Sequence, residues 1–209
     1  MRESRLYKTV ELFILFVAFP VILSLPILPA IKIFLGIFGF IYIIYFLVKV
    51  ENIKVKIQPH FDWKSFWKRT LLKLLVLILL STIYVYSVDK ASLFNVILNK
   101  PVLWLLFLFT YVILSVYPQE LIYRTFFFKR YEMLFSSKSQ LIFINAVLFS
   151  LGHLFFRNAL VLVITFLGGI IFALTFKDTK STLLVSIEHA IYGSWLFTVG
   201  MGSMLGFPQ

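Results

Sequence analysis

Seven long apolar runs constrain this chain more than any single residue does. They cover about Val10 to Ala30, Ile33 to Val48, Leu74 to Val88, Val102 to Phe128, Leu141 to Phe156, Ala159 to Phe176 and Leu183 to Leu205. About 20 apolar residues in a helix cross a hydrocarbon core of about 30 Å, so the runs read as spans joined by short connections. Of the 209 residues 61% are apolar and only 14% charged, against about 25% charged in a soluble domain, so water cannot coat this surface. The expected fold is an all-α, polytopic membrane bundle of about seven transmembrane helices, with eight as the alternative. A disordered chain, a nucleic-acid-binding domain and a large soluble catalytic module are excluded. Cysteine is absent, which removes disulfides, thiolate metal sites and cysteine nucleophiles.

The net charge of +11 reads as topology, because Lys and Arg mark the loops that stay in the cytoplasm. With the N-terminus inside, that side collects Arg2, Arg5 and Lys8, then Lys49, Lys54, Lys56, Lys64, Lys68, Arg69 and Lys73, then Arg124, Lys129, Arg130 and Lys138, and finally Lys177 and Lys180. Only Lys32, Lys90, Lys100 and Arg157 fall on the other side. The chain is therefore expected in a prokaryotic cytoplasmic membrane with its N-terminus in the cytoplasm. Trp63, Phe66 and Trp67, interleaved with Lys64, Lys68 and Arg69, suggest that 49–73 is a basic amphipathic loop lying in the headgroup layer. Pro20, Pro26 and Pro29 should bend or end the first span, and Gly168, Gly169 and Ala173 offer a small face for close packing. The expected division is N-terminal membrane helices over 1–100 and a functional core over 101–209, within one membrane domain.

Ionisable side chains within spans are costly, so each is a functional candidate. Seven of the nine acids fall in loops or at span ends, leaving Glu120 and Glu188. Of the three histidines, His60 lies in the basic loop, leaving His153 and His189, and Arg124 follows Glu120 by four residues on the same helix face. A carboxylate with two imidazoles suits either of two chemistries. One is a metal held by Glu120, His153 and His189, zinc or another divalent ion. The other is metal-free general acid–base catalysis, with an imidazole stabilising an oxyanion. Arg124 would hold and orient the Glu120 carboxylate. The structural alternative is a neutralised Glu120–Arg124 pair with histidines bridging helices.

Gln119-Glu120-Leu121-Ile122-Tyr123-Arg124 resembles the EExxxR motif of the CPBP intramembrane proteases, the CAAX-protease and bacteriocin-processing family also called Abi. Phe149 to His153 matches that family's FxxxH motif, and His189 to Gly193 is similar to its HxxxN or HxxxD motif. The resemblance covers about residues 100 to 200. It implies hydrolysis of a peptide bond in a membrane-associated peptide or protein, in a lipid bilayer and with no nucleic-acid partner. In that family the first Glu of the motif activates water, the histidines serve catalysis or metal binding, and the Asn stabilises the oxyanion. Here Gln119 stands in place of the first Glu and Gly193 in place of the Asn or Asp. An amide orients water but does not accept its proton at neutral pH. Asn145, Phe149, Glu188 and Gly193 are accordingly supporting candidates beside Glu120, His153, His189, Arg124 and Gln119.

The expected function is an intramembrane endopeptidase using Glu- and His-activated water. The alternative is a catalytically impaired binding or bacteriocin-immunity protein of the same fold, and a proton relay ranks last. Oligomeric state is left open. One conflict concerns depth: His153 lies only four residues before Arg157, about 6 Å along a helix, although Arg157 counts as outside. A site joining His153 to Glu120 and His189 requires a tilted or shortened fifth helix, or an Arg157 inside the bundle.

Overall fold

The computed structural model describes residues 4–50 and 61–202; His60 and most of the connection after the second helix lie outside them. Seven long helices account for nearly all of the described chain, and no strand occurs among the described residues. They are α1 (Arg5–Ser24), α2 (Pro29–Lys49), α3 (Trp63–Val88), α4 (Pro101–Leu134), α5 (Lys138–Leu151), α6 (Ala159–Thr179) and α7 (Thr182–Val199). Six stretches are long and apolar enough to cross a membrane, with α5 counted through Phe156. The remaining helix, α7, carries Glu188 and His189 in its interior.

The apolar side chains face outward as well as inward. On α2, Ile33, Phe34, Ile37, Phe38 and Ile41 form one exposed stripe at three- and four-residue spacing, and α3 exposes Leu72, Leu75, Leu79, Leu80 and Ile83. Such a surface is stable only where lipid, not water, meets it. Inside, the packing is aromatic: Phe16 of α1 meets Tyr123, Phe127 and Tyr131 of α4 edge-on, with centroids 5.3, 5.2 and 5.9 Å away. Helices α5 and α6 approach closely because Gly169 lacks a side chain; a Cβ there would come within 2.9 Å of the Ala146 Cα. The small face expected on the sixth span therefore does pack a helix.

Hydrogen bonds tie the two ends of the bundle separately. At one end Arg5 and Lys8 of α1 donate to the Leu134 and Arg130 carbonyls, and Arg69 pairs with Asp178 at 3.2 Å. At the other, Trp104 donates to Thr198 at 2.9 Å and Arg157 to the Ser24 carbonyl at 3.0 Å. Arg124, counted from sequence with the loop cations, lies at neither end but is fully buried. Residues 63–73 are not a separate surface segment, however, but the first turns of α3: Trp63 and Trp67 are exposed while Phe66 is buried. The prolines act as expected, with α1 ending at Ser24 and Pro29 opening α2.

Two sequence readings change. The depth conflict is settled by length: α5 has only 14 residues, Gly152 and His153 form a turn, and a 3-10 turn over Leu154–Phe156 leads to an exposed Arg157. Glu11 is not a span-end acid but a buried one. Both its carboxylate oxygens are held by Arg130, at 2.8 and 3.2 Å, and Tyr131 and Tyr42 donate to it as well. The pair is legible only in three dimensions, since 119 residues separate its members. Glu11→Ala would leave Arg130 buried without its carboxylate, a change that costs about 3–5 kcal/mol. Thermal unfolding in detergent should show that loss, with a much smaller one for Lys8→Ala, whose half-buried side chain makes a 3.4 Å hydrogen bond to the Arg130 carbonyl.

Candidate active site

Helix α4 presents its acid through an irregular backbone. Pro118 has no N–H to give to the preceding turn, and the helix widens to π geometry over Tyr111–Val116 and again over Leu121–Phe126. Between these stretches lies the short α-turn Tyr117–Glu120. Glu120 is thereby turned to α7, where its Oε1 accepts from His189 Nδ1 at 2.7 Å. Its Oε2 faces Arg124 Nε at 3.2 Å. Arg124 Nη1 in turn donates to Asn145 Oδ1 on α5 at 2.8 Å, and Asn145 Nδ2 donates to the Tyr123 carbonyl at 2.7 Å. One polar chain thus links α7, α4 and α5, with Glu120, Arg124 and Asn145 fully buried.

Aromatic rings fix this chain in place. The Arg124 guanidinium lies 4.7 Å from the Phe149 ring centre, a cation–π contact. His189 stacks on Phe172 at 4.4 Å and meets Phe149 edge-on at 5.8 Å. His153 stands on another edge of Phe149, at 5.0 Å, and its Nδ1 donates to the Phe149 carbonyl at 2.8 Å. His153 Nδ1 carries a proton, since a carbonyl oxygen only accepts, and both rings turn Nε2 away from these bonds. Phe149 is the spacer between the two histidines.

The predicted residues divide into a core and a periphery. Glu120, Arg124, Asn145 and His189 form one connected network, and His153 faces it across Phe149. Gln119 is half-buried, with its amide nitrogen on Ser115 Oγ at 2.7 Å. Glu188 points the other way, to α3, where it pairs with Lys73 and accepts from Tyr192 at 2.9 Å. Lys73, counted from sequence as a topological charge, is thus the counter-ion of a buried acid. Gly193 carries no functional group but makes room: a Cβ there would overlap the Tyr111 hydroxyl, and the Tyr111 ring stands edge-on to His189 at 6.2 Å. Tyr111 and Phe172 gave no sequence signal, because aromatic residues abound throughout these runs. Gly193→Ala should destabilise the protein by about 1–3 kcal/mol through overpacking, and Tyr111→Ala in the same chain should restore most of the lost melting temperature.

The network is electrically balanced yet incompletely bonded. Gln119 Oε1, Glu120 Oε2, and Arg124 Nε and Nη2 are buried without a hydrogen-bond partner, the 3.2 Å approach of Arg124 Nε to Glu120 Oε2 being an ion pair outside hydrogen-bonding geometry. Unmet groups of this kind are costly, and they suit a site that receives water or a peptide group. Among the described residues no three His, Cys, Asp or Glu side chains come together as a metal-holding group. Of the expected metal triple, Glu120 meets His189 directly, while Phe149 stands between His189 and His153.

No curated protein and no solved structure matches the chain significantly. A protein-family profile does match, over residues 101–206, and its description is type II CAAX prenyl endopeptidase Rce1-like. The match begins where α4 begins and takes in every member of the network, Glu120 and Arg124 on α4, Asn145 on α5 and His189 on α7. Covering half of the chain and all of its buried polar network, it shows that this chain belongs to the Rce1-like family of type II CAAX prenyl endopeptidases.

Proposed function

We propose that the chain is an intramembrane endopeptidase that cleaves a membrane-associated peptide or protein, with Glu120 and His189 as its acid–base dyad. The observation that carries this reading is the 2.7 Å hydrogen bond between His189 Nδ1 and a fully buried Glu120. Glu120 fixes the tautomer and orientation of the ring, so that Nε2 is the basic atom. In the reaction Nε2 takes a proton from water, and the resulting hydroxide attacks the peptide carbonyl carbon. The tetrahedral oxyanion draws on the unpartnered Arg124 Nη2. The proton then passes from His189 to the leaving nitrogen, the C–N bond breaks, and a carboxylate and an amine are released.

Gln119 Oε1, also unpartnered, accepts a hydrogen bond from the attacking water. His153 offers its free Nε2 on the far side of Phe149 and is the second proton carrier. Arg124, besides meeting the oxyanion, orients the Glu120 carboxylate from 3.2 Å away. The test is cleavage of a membrane-anchored peptide by purified protein in liposomes, with a prenylated CAAX peptide as the first probe. Absence of cleavage of any anchored peptide by the folded protein would overturn the reading.

Gln119 favours a second reading, a non-catalytic binding or immunity protein that keeps the fold. In that case biological activity survives replacement of His189. The basic end of the bundle we place in the cytoplasm, following the charge asymmetry. Because the chain has no cysteine, this is directly measurable. Ser137→Cys should be labelled by an impermeant thiol reagent only from the cytoplasmic side, and Ser92→Cys only from the opposite one.

A further inference from the structure

A cavity of about 320 Å³ lies between α3, α6 and α7, on the side of α7 away from the Glu120–His189 pair. Its polar lining alternates in sign: Arg69 with Asp178 towards the mouth, and Lys73 with Glu188 within. Arg69 and Asp178 are each about half exposed, at 56% and 49%, so the mouth is open. Glu188 is fully buried, its Oε1 taken by Lys73 and Tyr192. Its Oε2 is buried and has no hydrogen-bond partner. A buried carboxylate oxygen without a partner, on a residue that lines a cavity, is satisfied by a hydrogen-bond donor brought by a ligand.

The surroundings say which kind of molecule brings that donor. Leu72 and Leu174 line the cavity and are exposed to the bilayer at 62% and 43%. Trp63 and Trp67, exposed on the first turns of the same α3, mark this as headgroup depth. A ligand here needs a cation with N–H groups for Glu188, an anion for Lys73 and Arg69, and an apolar tail to lie along Leu72 and Leu174. We propose that the cavity binds the headgroup of an amine-bearing phospholipid, its ammonium donating to Glu188 Oε2 and its phosphate accepting from Lys73 and Arg69. A peptide seated at His189 does not meet these groups, because Glu188 and His189 leave α7 in different directions, one to α3 and the other to α4.

The experiment uses the full chain in nanodiscs holding equal amounts of phosphatidylethanolamine and phosphatidylcholine with identical acyl chains, followed by native mass spectrometry. The choline ammonium has no N–H to give, so the wild type should retain phosphatidylethanolamine with a preference of about tenfold, in keeping with one charge-assisted hydrogen bond. Glu188→Gln should reduce that preference to near parity. Leu174→Trp, at a lipid-exposed position that does not threaten folding, should fill the cavity and remove the retained lipid. Retention of both lipids in the bulk ratio, or a preference that survives both variants, overturns the proposal. Displacement of the lipid by a cleavable peptide would assign the cavity to the substrate, and displacement by soluble phosphoethanolamine would assign it to a free phosphate ester; either result also overturns it.

Discussion

Replacing His189 with Ala should lower the turnover of a membrane-anchored peptide by about 10²–10⁴-fold, the range a positioned general acid–base supplies. The loss should fall on kcat, with KM little changed, since the imidazole acts on the water and the leaving nitrogen and not on the substrate's anchor. His189 is mostly buried, and its hydrogen-bond partner among the described residues is Glu120, so the variant should still purify as a folded membrane protein. Glu120→Gln tests the other half of the dyad. The amide still accepts from Nδ1, but the charge that stabilises the imidazolium is gone, so kcat should fall while the ring stays in place. Turnover in the presence of a permeant chelator tests separately whether a divalent metal takes part. Turnover undiminished in His189→Ala would sink the dyad.

The second large effect concerns Arg124 and is read in stability as well as rate. Arg124 is fully buried and serves Glu120, Asn145 and the Phe149 ring at once. Arg124→Ala strands the Glu120 carboxylate in a low-dielectric interior, and removing one partner of a buried pair costs about 3–5 kcal/mol. Lysine is no substitute, because an ammonium cannot match the planar fork that spans Glu120 and Asn145. Replacing both charges together, Glu120→Leu with Arg124→Met, should recover most of the stability while turnover stays abolished. Thermal unfolding of the wild type, Glu120→Leu, Arg124→Met and the double variant measures the coupling. If Arg124→Ala unfolds at the wild-type temperature, the pair is not the buried one described.

The spans and the polar residues of the site were legible because the bilayer imposes them. A run such as Ala159 to Phe176 has one reading in lipid, and a Glu or His inside such a run is conspicuous by cost alone. Direction was harder to read. A regular helix puts Gln119 and Glu120 about 100° apart, but the π stretches around them, and Pro118 between, decide which one reaches His189. No count of residue spacing contains that register. Long-range partners were equally hidden. Glu11 looked like a span-end acid and Lys73 like a loop cation, and each is half of a buried pair whose other half lies more than a hundred residues away. Gly193 illustrates the converse: the absent side chain is explained only once the Tyr111 hydroxyl is seen against it.

The brevity of α5 also bears on the lipid around it. Its fourteen α-helical residues rise about 21 Å, and the element reaches spanning length only with the turn through Phe156. A bilayer meeting so short an element relieves hydrophobic mismatch by thinning locally. Asn145, Phe149 and His153 all project from this helix or the turn that ends it. In the proposed reaction, water and a substrate's polar backbone have a thinner layer of oil to cross beside Asn145, Phe149 and His153, and acyl-chain length becomes a physical control on turnover.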